Sequence, residues 1–214
     1  MAARQNHGNL FEKHIKKHIG YNKGSWDISP TPPFYNSKGI SIKCIKKGKC
    51  IAIADALKQF RIDENFYFIT SFYEEEIIGK DSKGKNIKNK EVVWLKEIYV
   101  TKQKWRELWG NTTEQQIIEL NNLVKNPLKK ELSEQELCNF RKHVQQEKKR
   151  ILANYNGIIT INPKVGSNKK YNQRRVQASI GYKDFLQIFR LDETRHRYAM
   201  IGGKDINLKE ININ

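Results

Sequence analysis

The sequence predicts an α/β fold, a sheet with helices packed on it, and three observations predict it. Two runs, F-Y-F-I-T-S-F-Y at 66–73 and V-V-W-L-K-E-I-Y-V at 92–100, are rich in the β-branched and aromatic residues that suit a pleated surface. A third, I-S-I-K-C-I at 40–45, alternates side chains between two faces as a strand does. Between 102 and 155, by contrast, apolar residues recur at three- and four-residue spacing, the period of helices buried on one side.

Taken in order, Leu10 to Ile19 reads as a helix with Leu10, Phe11, Ile15 and Ile19 near one stripe, Asn6 or Asn9 as its cap and Gly20 as its end. Three prolines keep 24–39 extended, and Gly39 opens the first strand. A tight turn at 46–49 leads to a brief return strand at Cys50–Ile53 and a helix near Asp55–Phe60. The 66–73 run is expected as a central strand, antiparallel to 92–100, with a mobile loop around D-S-K-G between them. Helices follow at 102–109 and 115–124, the second capped by Thr112 or Thr113. Ser133 and Glu136 form a capping box for a longer helix to about Tyr155, with Leu137, Phe140, Val144 and Ile151 as its apolar stripe. That helix suits either a cleft facing DNA or a dimer contact. A strand at 158–161, a basic turn, a strand to Ile180 and a helix at 182–190 complete the chain, and the polar tail after Gly203 receives no role.

At 214 residues the chain is expected to be one domain, 1–214, with 102–155 a helical portion and 156–190 a candidate recognition portion. A formal charge of +17 implies a polyanionic partner, nucleic acid first and an anionic membrane surface second. An encoding genome biased toward Asn, Lys and Ile codons would weaken that inference. No run of eighteen apolar residues exists to span a bilayer, and the first residues lack the apolar core of a secretion signal. Cys44, Cys50 and Cys138 are odd in number and lack C-x-x-C spacing, which points to free thiols in a reducing cytoplasm. Neither G-x-x-x-x-G-K-[ST] nor G-x-G-x-x-G is present, so no nucleotide cofactor is expected. His14 and His18 stand one helical turn apart without the glutamate of H-E-x-x-H, and no nucleophile elbow occurs.

The working centre is expected between Trp26 and Lys47. Asp27 precedes the proline-rich connection, and the strand after it carries Ser41 and Lys43 on one face and Ile40 and Ile42 on the other. A carboxylate able to hold a divalent cation and a lysine reaching the same space are what phosphodiester cleavage requires, because charge grows on the phosphate and a water must be activated beside it. The plainer reading is a loop acid and one more solvated lysine. Glu12 reads either as a surface acid in the first turn of its helix or as a supplementary carboxylate for the same cation.

The second candidate is N-P-K-V-G-S-N-K-K-Y-N-Q-R-R-V-Q-A-S-I at 162–180. Lys164, Lys169 and Lys170 are placed in its turn for phosphate contacts. Arg174 stands at the start of the strand that follows, in which Arg175, Gln177 and Ser179 share the face opposite Val176, Ala178 and Ile180. Arg pairs with two acceptors of guanine and Gln with adenine, so this row suits base reading, or else it is a solvated strand face.

An early glutamate on a helix, an isolated aspartate and a strand ending in S-I-K resemble the PD-(D/E)XK nuclease superfamily, and within it the type II restriction endonucleases. The late basic strand adds to the likeness. The resemblance implies a restriction-endonuclease-like fold, a central mixed β-sheet flanked by helices. It also implies Mg²⁺, a homodimer and site-specific cleavage of double-stranded DNA. It makes Asp27 the first metal carboxylate and Lys43 the residue at the attacking water. Ser41 departs from the family pattern, which has Asp or Glu there, and serine supplies no negative charge. The cation would then rest on Asp27, the carbonyl of Ile42 and waters, joined by Glu12 or Asp55. The rival expectations are a DNA-binding protein without catalysis, and an RNA-directed nuclease or RNA-binding protein.

Overall fold

The structure, a computed structural model, describes residues 6–20, 39–125, 132–166 and 174–214. In chain order these form α1 (Asn6–Ile19), β1 (Gly39–Lys46), β2 (Ile51–Asp55), α2 (Ala56–Phe60), β3 (Phe66–Lys80) and β4 (Asn86–Val100). They continue with α3 (Lys102–Leu108), α4 (Glu114–Lys125), α5 (Glu134–Ile151), β5 (Thr160–Val165), β6 (Arg174–Ile180), α6 (Tyr182–Phe189), β7 (Tyr198–Ile201) and β8 (Lys204–Asn207). The architecture is α/β, with a mixed β-sheet flanked by helices. Contacts divide the chain into two compact units: Met1–Ile51, Glu64–Lys102 and Tyr182–Asn214 make the first, Ala52–Asp63 and Gln103–Gly181 the second.

In the first unit β3 is the middle strand, parallel to β1 and antiparallel to β4. Each sheet face has its own cover, because side chains alternate. Ile40, Ile42, Ile69 and Leu95 pack with Phe11, Ile15 and Ile19 of α1. Phe68, Phe72 and Trp94 occupy the opposite face, where Phe185 of α6 meets Phe68 edge-on at 5.8 Å and Trp94 stacks on Phe72 at 4.6 Å. α1 begins four residues before Leu10 and stops at Gly20, whose φ of +78° is the left-handed turn that favours glycine.

Two expectations are corrected in this unit. The 74–91 stretch is a continuation of the β3–β4 ladder, paired from Glu74–Glu91 to Lys80–Asn86. Asp81 closes its tip, accepting from the amides of Lys83 and Lys85, each at 2.9 Å, with Gly84 at φ +74°. The tail is also part of the core: Ile206, Leu208, Ile211 and Ile213 are buried beside α1.

In the second unit the strand order is β2-β6-β5. The Cys50–Ile53 stretch was expected to return along β1, but β2 lies beside β6, so a short connection did not make a hairpin. Ile117, Leu120 and Val124 of α4 are buried, and its Asn121 accepts from the amide of Val176 at 3.3 Å. α5 starts with the expected capping box, Ser133 and Glu136 each satisfying the other's backbone amide, and ends at Ile151 rather than Tyr155.

One contact in this unit admits only glycine. Gly110 has φ +58°, and a Cβ there would come within 2.5 Å of the amide nitrogen of Gly157. The same turn is tied by Asn111, whose amide donates to Asn156 Oδ1 at 2.9 Å. Gly110→Ala is expected to destabilise the protein by about 2 kcal/mol or more, combining the left-handed backbone cost with backbone displacement. Thermal unfolding of the purified variant checks it, and an unchanged midpoint would contradict the contact.

Candidate functional site

Strand β1 carries Lys43 into a cross-strand row. Its parallel register sets Lys43 beside Thr70, and the antiparallel register of the next pair sets Thr70 beside Lys96. Paired residues project to the same face, so two half-buried lysines flank one hydroxyl, with their Cα atoms about 10 Å apart across two strand spacings. Thr70 is 0% exposed, and its Oγ1 has no hydrogen-bond partner among the described residues. Lys43 Nζ donates to the carbonyl of Ile42 at 2.9 Å, so that carbonyl already serves the amine. Ser41 lies on the same face one pair earlier, beside Phe68, and is buried. The row is suited to an anion, and Asp192 lies within electrostatic range of Lys96. The Asp192 carboxyl is held below its usual range chiefly by the Thr194 amide, with His196 and Lys96 contributing.

Of the residues expected around a cation, Asp27 lies outside the described residues. Each of the others serves a local partner. Glu12 makes an ion pair with Lys16 at 2.5 Å, and its helix covers the Ile40–Ile42 face, opposite to Lys43. Asp55 caps α2, its Oδ1 accepting from the amide of Lys58 at 3.0 Å. Ile42 offers only the carbonyl that Lys43 already uses. Among the described residues no group of three or more His, Cys, Asp or Glu side chains is placed to hold a metal ion.

The second candidate gathers more fully. Lys164 was expected in a turn but stands on β5, directly across from Arg175, followed by the pairs Asn162–Gln177 and Thr160–Ser179. One face of the β5–β6 pair is thus a polar row, while Ile161, Val176 and Ala178 on the other are buried. Lys164 is exposed, Arg175 and Gln177 are half-buried, and Ser179 is 7% exposed with its Oγ accepting from Asn162 at 3.2 Å. The outer end of the row is consequently the accessible one. Arg174 lies with its guanidinium 5.5 Å over the ring of Phe140 on α5. Lys169 and Lys170 lie outside the described residues.

Sequence reading missed what joins this row. Arg141 of α5 donates to the carbonyl of Val165 at 3.2 Å, tying the helix to the end of β5. Burial, and after it the positive charge of Lys164, hold the Lys148 ammonium below the usual lysine range, so these two amines share one field. The signal was present in the charges. From Arg141 to Arg175 there are ten Lys and Arg and a single acid, Glu147. Lys96 and Thr70 were missed for another reason: only the β3–β4 register brings them beside Lys43.

Comparison with known proteins gives no match: no protein-family model, curated protein or solved structure is significantly similar to this chain.

Proposed function

We propose that this protein engages double-stranded DNA through the surface built from α5 and the β5–β6 pair. The observation that supports it most is the excess of basic over acidic residues from Arg141 to Arg175, ten to one, eight of the ten standing on α5, β5 and β6, where α5 packs on β5 and β5 pairs with β6. Cations so concentrated repel one another, and a polyanion releases that repulsion together with its own condensed counterions. Gln177 and Arg175, in the same row, are the side chains suited to base edges.

Phosphodiester hydrolysis is the activity proposed for the Lys43 strand, with the amine beside a phosphate and Lys96 balancing charge in the same row. Mg²⁺, site specificity and a homodimer belong to this reading through the resemblance to restriction endonucleases. A second reading, duplex binding without cleavage, is favoured by Ser41 in place of an acid and by the engagement of Glu12 with Lys16 and of Asp55 as a helix cap. Incubation of mixed-sequence plasmid with the protein, with and without Mg²⁺, separates the two. Discrete fragments support the endonuclease; duplex retention with intact plasmid supports the binder.

The binding surface has its own test. Lys164→Ala is expected to weaken duplex binding evenly across sequences and to lower the slope of log affinity against log salt by about 1. Arg175→Ala or Gln177→Ala should instead reduce discrimination between sequences, by about 1–3 kcal/mol for a base contact. Equal affinity and slope in all three variants would remove this surface from the interface.

A further inference from the structure

The β3–β4 ladder does not stop where the core does. Beyond Tyr73 and Val92, six cross-strand pairs, from Glu74–Glu91 to Lys80–Asn86, extend from the sheet, about 20 Å of two-stranded ribbon. From Glu76 to Asn89 every residue is exposed, including Ile77 at 58%, Ile78 at 63% and Ile87 at 44%. Exposed β-branched residues on a long ribbon invite association, and folded proteins seldom leave them uncovered without a use. Nothing in the β3–β4 pairing requires isoleucine at these three places.

The charge on the ribbon points to what covers them. From Glu76 to Asn89 there are four lysines and two acids, Glu76 and Asp81. The Asp81 carboxylate is occupied within the turn by the Lys83 and Lys85 amides. Nearer the core the acids are partnered: Glu75 with Lys46 at 2.7 Å and Lys88 at 3.1 Å, and Glu74 and Glu91 with Arg195 at 3.4 and 3.0 Å. The outer ribbon therefore carries a net positive charge, concentrated in Lys80, Lys83 and Lys85 around its tip, and is apolar at Ile77, Ile78 and Ile87. Two copies of such a ribbon would repel each other in a symmetric contact, whereas a polyanion neutralises it.

We propose that the 76–89 ribbon is a second DNA-binding element, which lies in the major groove of duplex DNA with its lysines on the flanking phosphates and Ile77 and Ile78 against base edges. The inference rests on the duplex-DNA reading above. The dimensions agree, since the major groove admits a two-stranded β-ribbon. The chemistry agrees too, since apolar side chains contact the thymine methyl group exposed there. The extra residue at Ile78, where the register shifts between Ile77 and Gly79, turns the ribbon locally and adds an apolar side chain outside the regular alternation.

The test uses the full chain, 30-base-pair mixed-sequence duplexes and three variants. Lys80→Ala, Lys83→Ala and Lys85→Ala combined should reduce affinity at least tenfold at moderate salt and lower the salt slope by about 3. Ile77→Ala with Ile78→Ala should reduce affinity several-fold with no change of slope, and replacing thymine by deoxyuridine should weaken the parent protein but not this variant. Lys164→Ala serves as the arm-independent control. If the parent protein and the Lys164 variant differ in duplex affinity while the ribbon variants match the parent, the ribbon proposal falls and the DNA reading stands. If the parent protein retains no duplex, both fall. Ribbon variants that change the sedimentation of the free protein and leave DNA affinity intact would assign the ribbon to a second copy of the chain and overturn the proposal.

Discussion

Lys43→Ala is expected to reduce plasmid cleavage by at least about a hundredfold, the effect of removing one preorganised cation from a reacting phosphate, with duplex affinity within about twofold of the parent. The separation follows from geometry. Lys43 stands on β1 in the first unit, while the surface proposed to hold duplex, Lys164 with Arg175 and Gln177, belongs to the second. The amine stands beside Thr70, half-buried, and donates to the Ile42 carbonyl. Lys96→Ala should show a smaller defect, because Lys96 stands on β4, one strand further from β1, and shares the row through Thr70. Thermal unfolding of both variants accompanies the cleavage assay, so that loss of activity is read only from folded protein. Full cleavage by folded Lys43→Ala would end the proposed mechanism and leave a DNA-binding protein.

How far the sequence foretold this arrangement depends on how local each signal is. Ser133 with Glu136 needs only three residues to specify a helix start, and the capping box is there. The 66–73 run, the most aromatic and β-prone of the chain, predicts a central strand, and β3 indeed lies between β1 and β4. Failures came where partners are distant. The lysine-rich 77–90 stretch carries loop composition, yet the ladder begun by Phe66–Val100 continues through it, each pair extending the last. β2 looked like a return strand, since its only visible neighbour in sequence was β1; its true neighbour, β6, lies more than a hundred residues on. The site shows the same division. Asn162, Gln177 and Lys164 form one row by period-two alternation, legible in advance except that β5 runs longer than its apolar residues. Glu12 is the converse: its place in the helix was clear, but which sheet face that helix covers was not.

The tail gives the largest expected loss of stability. Ile211→Ala with Ile213→Ala is expected to cost about 4 kcal/mol or more, because each truncates a fully packed side chain and leaves a cavity worth roughly 2–5 kcal/mol. Ile211 is 4% and Ile213 1% exposed, within the cluster that contains Phe11, Ile15 and Ile42. Asn214 extends the attachment, its Oδ1 accepting from the Lys90 amide at 2.7 Å and its Nδ2 donating to the Lys90 carbonyl at 3.2 Å, as a neighbouring strand would. The tail thus seals the α1 side of the sheet and grips β4 near the base of the exposed ribbon. Against a total stability of about 5–15 kcal/mol, the double variant should lower the urea midpoint by about 2 M. Hydrogen exchange of the β3 and β4 amides should speed up most, because these strands underlie the lost isoleucines. A midpoint within a few tenths molar of the parent would mean that the tail merely rests on the surface. The loss of isoleucine from a polar-looking tail would then carry no more weight than its composition suggested.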